Sequence, residues 1–186
     1  YNSEGGIIMK ILVVVDMQKD FTSGALGNKE CNGVVSEIVD IINTEDFDDI
    51  ILTRDTHKNN YLETQEGKHL PVVHCIEGTD GWQIRDEIMC AIGDKKHSII
   101  NKSTFGSVNL ATALGCISDD EQNKYDITLV GVCTGICVIS NALLLKAYLP
   151  EARIAVRANA CACVTPESHK TALDAMKLCQ IEIEED

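Results

Sequence analysis

The chain has 186 residues, 45% of them hydrophobic and 24% charged, which is enough for one globular domain with its own core. Its 29 acidic side chains outnumber its 16 basic ones, for a net charge of −13, and this excludes nucleic acid or an anionic membrane surface as a partner held by a basic patch. No apolar run reaches the roughly 18 residues of a membrane span and no secretory signal opens the sequence, so a cytoplasmic protein is expected.

Residues 1–8, YNSEGGII, read as a tag or leader remnant, and the folded domain is expected over 9–186. KILVVVD (10–16) is a short apolar run fit to be a strand buried on both faces. A polar loop, DMQKDFTSGALGNKE, separates it from a helical pattern, CNGVVSEIVDIINTED, in which Val34, Val35, Ile38, Val39, Ile41 and Ile42 share one broad face. A second strand, DIILTRD (49–55), leads into a long polar stretch from Thr56 to Gly81. Loops of that length in compact domains are usually functional.

GWQIRDEIMCAIG (81–93) has the next helical pattern, with Trp82, Ile84, Ile88, Met89 and Ile92 on one side, followed by the strands HSIINK (97–102) and YDITLVG (125–131). ICVISNALLLKAYLP (136–150) is apolar nearly all round, which predicts a buried helix ended by Pro150 and leaves open whether it is core or interface. The strand ARIAVRA (152–158), a helix from Thr165 as N-cap with Pro166 at its first position, and a last strand QIEIE (180–184) complete the chain. Strand and helix alternation predicts a single-domain α/β sandwich, a parallel sheet with helices on both faces.

Nine cysteines stand at 31, 75, 90, 116, 133, 137, 161, 163 and 179, with no CxxC pair. An odd count in a reducing compartment argues against a disulfide framework, and the missing pairs argue against structural zinc. Most of these cysteines read as small buried apolar residues. For Cys133 and Cys137, in VGVCTGICV, the choice narrows to filler or nucleophile.

Ligands in open parallel sheets bind beyond the carboxyl ends of the strands. Asp16 ends the first strand, Asp55 the second, Lys102 the third, and VCTGIC follows the fourth. An ammonium and a free helix N-terminus lower a thiol's pKa, and a carboxylate takes its proton. Individually each of these residues is more often structural; their joint placement at strand ends points to a site. The long loop adds a second set: Asp55 and His57 leave a strand in a D-x-H pattern and His74 follows, with Glu63, Glu66 and His69 between. Such N and O ligands suit Zn, Mn or Fe, with open positions for water. Hydrogen bonding to loop backbone is an equal reading of that spacing.

The motifs VDMQKDF, TRDTH, LPVVHCIEGTDGW, INKSTFGS and GVCTGICV, in this order, resemble the isochorismatase-like cysteine hydrolases, most closely their nicotinamidase-like branch. The resemblance implies a three-layer sandwich around a six-stranded parallel sheet of order 3-2-1-4-5-6. It makes Cys137 the nucleophile, Asp16 its base and Lys102 the third member of a triad. It also implies a cis peptide between Val132 and Cys133, an oxyanion hole from the backbone amides of Cys133 and Cys137, and a metal held by Asp55, His57 and His74, with Glu66 where some relatives have a fourth ligand. Phe21 matches an aromatic that packs on the substrate ring, and Leu70 stands at the facing wall.

The implied reaction is metal-dependent conversion of nicotinamide to nicotinic acid and ammonia through a Cys thioester, by a dimer or tetramer. Another small amide, carbamoyl or ureido substrate is the alternative within the superfamily, and a binding module that has lost catalysis is the alternative outside it. Two departures from the family pattern stand out. Leu70-Pro71 replaces a common Trp-Pro with one residue more before His74, and Gly135 in T-G-I-C replaces a usual aspartate.

Overall fold

In the computed structural model the described residues are 8–116, 119–122 and 124–185. Residues 1–7, most of the stretch read as a tag or leader remnant, lie outside them. The six strands are β1 (Met9–Val15), β2 (Asp49–Asp55), β3 (His97–Lys102), β4 (Tyr125–Val132), β5 (Arg153–Ala162) and β6 (Glu182–Glu184). They pair in the order β3-β2-β1-β4-β5-β6, every pair parallel.

Alternation along β1 builds the layers. Ile11, Val13 and Val15 point into one core with Leu110, Leu114, Ala142, Leu145 and Met176. Leu12 and Val14 point into the other with Ile38, Ile41, Ile42, Ile88 and Ile92. The helices α6 (Val108–Gly115), α8 (Ile139–Tyr148) and α9 (Pro166–Leu178) therefore cover one face, and α3 (Val35–Thr44) and α5 (Asp86–Ile92) the other. Shorter helical pieces complete the chain: α1 (Lys19–Thr22), α2 (Lys29–Gly33), α4 (Gln65–His69) and α7 (Asp119–Gln122). The start of α9 follows its local signals: Thr165 accepts from Ser168 N, Ser168 answers in a capping box, and Pro166 opens the helix. None of the helices formed by the described residues is long and apolar enough to cross a membrane.

Four expectations need correction. The pattern over 31–46 is two helices, α2 and α3, because Asn28 caps the first through Cys31 N and Val34 separates them. Trp82 and Ile84 precede α5, since Ile84 bridges to Gln18. The strand β3 is an edge with one neighbour, so Ile99 is 38% exposed instead of buried. The helix α8 buries Asn141, Ala142 and Leu145, while Leu143 and Tyr148 face outward.

Gly131 fixes how β4 leaves the sheet. Its φ is +119° and a Cβ there would sit 2.2 Å from Val15 O. Only glycine tolerates both. Gly131→Ala is expected to cost at least about 2 kcal/mol, read as a lower urea midpoint.

Candidate active site

The carboxyl ends of β1 to β4 bring the expected residues together. Asp16 follows β1 with φ +50°, a conformation Asp adopts more readily than most residues. Its carboxylate is fully buried, accepts from Thr53 Oγ1 at 2.7 Å, and lies 2.6 Å from Lys102 Nζ. The same ammonium stands 3.6 Å from Cys137 Sγ, toward which it donates, and 3.5 Å from Asp55 Oδ1. Cys137 is carried by the π-helical turn Thr134–Val138 between β4 and α8, and the peptide Val132-Cys133 that enters this turn is cis. Ile136 N and Val138 N both donate to Cys133 O, which fastens the turn to its entry.

Electrostatics here differ from the expectation of a thiol lowered by its neighbours. Burial first, and then Asp16, push the Cys137 thiol up, and Lys102 only partly opposes them. Burial likewise raises Asp16 against the pull of Lys102. Burial works against the Lys102 ammonium, but Asp16, Cys137 and Asp55 overcome it and hold its pKa above the ordinary lysine value. Lys102 thus stands among Asp16, Asp55 and the Cys137 thiol at the centre of the site.

Asp55 joins this centre to the second set. Its Oδ2 lies 2.9 Å from His57 Nε2 and 3.8 Å from His74 Nε2, and Glu66 Oε1 lies 3.6 Å and 3.9 Å from the same two nitrogens. Donors about 2.0–2.2 Å from one ion in a tetrahedral arrangement lie about 3.3–3.6 Å apart, inside this spread. Among the described residues these four form the one group whose ligand atoms all lie within 4.8 Å of one another. Two further observations fit a cation. His57 Nε2 is buried and faces carboxylate oxygens of both Asp55 and Glu66, and His74 Nδ1 is 2.8 Å from Val72 O, which turns His74 Nε2 inward. Burial would lower the His57 imidazole, yet Asp55 and Glu66 raise it, as a surplus of negative charge around a buried nitrogen requires. Glu66 belongs to this set by position; Glu63 and His69 do not. Adding Zn is expected to raise the melting temperature, by the equivalent of about 2.7 kcal/mol at a hundred times the Kd. His57→Ala should remove most of that rise.

Phe21 stacks near His74, with ring centroids 5.5 Å apart at 59°. Leu70 is 38% exposed and, with Phe105, Ile136, His57 and Glu66, lines an open cavity of about 730 Å³. Asp16, Lys102, Cys137 and Phe21 are not in its lining; Cys137, next to Ile136, is 5% exposed.

Three residues that order the site carried no signal in the sequence. Gln18 is fully buried and ties two loops, donating to Asp55 O at 2.8 Å and Trp82 O at 2.9 Å while accepting from Asp55 N at 2.7 Å. Thr53 anchors Asp16. Tyr61 is fully buried between His57 and His74, with centroids 4.6 and 4.9 Å away, and donates to Leu70 O at 2.9 Å. Burial, then Glu66 and Asp55, push this phenol up to about 12, so it stays a donor.

Comparison with known proteins agrees with the geometry. The Isochorismatase domain matches residues 10–185. A nicotinamidase of Saccharomyces cerevisiae is 29% identical over 174 residues, covering 73% of this chain and 80% of the yeast protein. The crystal structure of a pyrazinamidase of Pyrococcus horikoshii in complex with zinc superposes with a TM-score of 0.76 at 25% identity, covering 95% of this chain and 99% of that one. The fold is shared again with PnC1 of L. infantum in complex with nicotinate, TM-score 0.78 at 18% identity, covering 96% and 94% of the two chains. With a family match over nearly its whole length, a six-stranded sheet in the implied order and relatives among the amidases, the chain belongs to the isochorismatase family of hydrolases and stands close to its nicotinamidases.

Proposed function

We propose that this protein is a metal-assisted cysteine amidohydrolase that converts nicotinamide to nicotinic acid and ammonia. The observation that carries the reading is Lys102 Nζ, which touches the Asp16 carboxylate at 2.6 Å and the Cys137 thiol at 3.6 Å, all three side chains being buried. Cys137 Sγ adds to the carboxamide carbon as its proton passes to Asp16. The raised Asp16 suits this role, since burial outweighs the opposing pull of Lys102 and makes this carboxylate bind a proton more readily than one in water. Lys102 holds both partners in place and offsets the charge that moves between them.

The carbonyl oxygen becomes an oxyanion facing the backbone N–H groups of Cys133 and Cys137. Asp16 then returns the proton to the departing ammonia, leaving an acyl thioester on Cys137. A water attacks the thioester, Asp16 takes its proton, and the acid leaves as the thiol is restored. Asp55, His57, His74 and Glu66 are the residues that would hold a divalent ion, Zn, Mn or Fe, which supplies a Lewis acid for the ring nitrogen of the substrate. Phe21 and Leu70 flank the ring in this reading.

Because Asp16 must be unprotonated, the acid limb of kcat/KM is expected above the ordinary aspartate value of 3.8, and a pH profile reads it directly. A dimer or tetramer belongs to the same reading, supported by the outward Leu143 and Tyr148 of α8, and light scattering on the eluted protein tests it. Ammonia release from nicotinamide by protein loaded separately with Zn, Mn and Fe tests the substrate. Release by the metal-loaded chain supports the reading; no release from nicotinamide, with release from another small amide, would reassign the substrate.

A further inference from the structure

The sequence carries more thiols than the proposed chemistry uses, and three of them meet behind the turn that bears Cys137. Cys133 begins that turn, Cys31 arrives from α2, and Cys163 follows the end of β5. Cys31 Sγ lies 3.9 Å from Cys133 Sγ and 3.8 Å from Cys163 O. The strand β5 runs four residues past the predicted end at 158, through a register shift opposite Leu129 and Gly131, and so delivers Cys163 to this place. Gly135 adjoins the cluster: a Cβ there would lie 3.4 Å from Cys163 Sγ, an ordinary van der Waals contact.

We propose that Cys31, Cys133 and Cys163 form an oxidation-sensitive thiol cluster in which Cys31 and Cys133 close a reversible disulfide when the protein meets a peroxide. Cys133 is the half-buried member and the point of access, while Cys31 and Cys163 are buried. Peroxide entering past Cys133 bonds an oxygen to Cys31 sulfur as the O–O bond breaks, and the departing hydroxide takes the Cys31 proton and leaves as water. Cys133 sulfur then attacks Cys31 sulfur, the S–O bond breaks, and the second hydroxide leaves as water with the Cys133 proton. Two thiols thereby give two electrons to one peroxide.

The surroundings favour the first step. Asn28 Nδ2 donates to Cys31 Sγ at 3.2 Å while Asn28 Oδ1 caps α2 through Cys31 N at 2.8 Å. The hydrogen bond from Cys133, and then Asn28, bring the Cys31 thiol below its ordinary range against its burial, and a thiol with more thiolate character attacks faster. The contacts with Cys163 and Cys31 raise the Cys133 thiol, and the Cys133 contact lowers Cys163, to about 5, so a Cys133–Cys163 cross-link is the competing product.

Closing a 3.9 Å gap to the roughly 2.05 Å of a disulfide draws Cys133 toward α2. The turn bonded to Cys133 O through Ile136 N and Val138 N moves with it. On the reading given under Proposed function, oxidation therefore displaces one wall of the oxyanion hole and slows hydrolysis reversibly.

The test is peptide mapping of the folded Cys137→Ala protein after hydrogen peroxide treatment and alkylation of the remaining thiols. That background removes the neighbouring thiol on the same peptide. A Cys31–Cys133 cross-link that forms before the exposed Cys90, Cys116 and Cys179 are oxidised, and that dithiothreitol removes, is the expected result. Oxidation of those three with no cross-link to Cys31, or a cross-link of Cys133 to Cys163 instead, would overturn the proposal. This readout is chemical and stands apart from any substrate. In otherwise unaltered protein, Cys31→Ser should keep its basal hydrolysis and lose the part of the peroxide inhibition that dithiothreitol reverses.

Discussion

Cys137→Ala is expected to lower kcat for amide hydrolysis by about four orders of magnitude or more with little change in the fold. On the reading proposed above its sulfur is the nucleophile, carried by the turn Thr134–Val138 3.6 Å from Lys102 Nζ, which lies 2.6 Å from Asp16. Removing it leaves the carboxylate with no proton to accept from a nucleophile. What remains is binding and oxyanion stabilisation, which alone give only residual rates. The fold should survive, because Cys137 is held by backbone bonds of its turn, and Lys102 keeps its ion pairs with Asp16 and Asp55. A loss below tenfold would place the nucleophile elsewhere.

Lys102→Met is expected to cost both rate and stability. Lys102 is 5% exposed and is the ammonium set between Asp16, fully buried, and Asp55, 4% exposed. Deleting one partner of such a buried arrangement leaves charges uncompensated, at about 3–5 kcal/mol. Asp16 escapes by taking a proton, which removes the base the reaction needs. The variant should therefore show a lower urea midpoint together with loss of hydrolysis, and its stability should recover partly at acid pH, where the orphaned carboxylates are neutral. The sign follows from Asp16: without Lys102 this buried carboxylate binds its proton more tightly folded than unfolded, so stability falls as pH rises through its titration, whereas Asp55 keeps the opposing pull of His57. A neutral-pH midpoint equal to that of the unaltered chain would show that Lys102 does not compensate this pocket.

Most of the sheet was legible because buried parallel strands leave contiguous apolar runs, as KILVVVD and YDITLVG do. Its order came through the family resemblance, and the structure has the same order. Errors arose where neighbours decide. Ile99 lies on a strand that reads as interior but has a partner on one side only. Tyr61 and Gln18 have no periodic context, and their roles appear only when the loops after β1 and β2 fold against each other. Placement of Asp16, Lys102 and Cys137 at strand ends was legible, since parallel topology sends those ends to one side. The raised thiol was not, because desolvation depends on what covers Cys137 and local sequence does not record that.

The most direct test of the account is the mass of the acid-quenched enzyme during turnover of nicotinamide, with the modified peptide mapped. The account requires a nicotinoyl adduct on Cys137 that appears with substrate, decays when substrate is exhausted and is absent in Cys137→Ala. Sustained turnover with an unmodified Cys137, and with undiminished rate in Cys137→Ala, would contradict it.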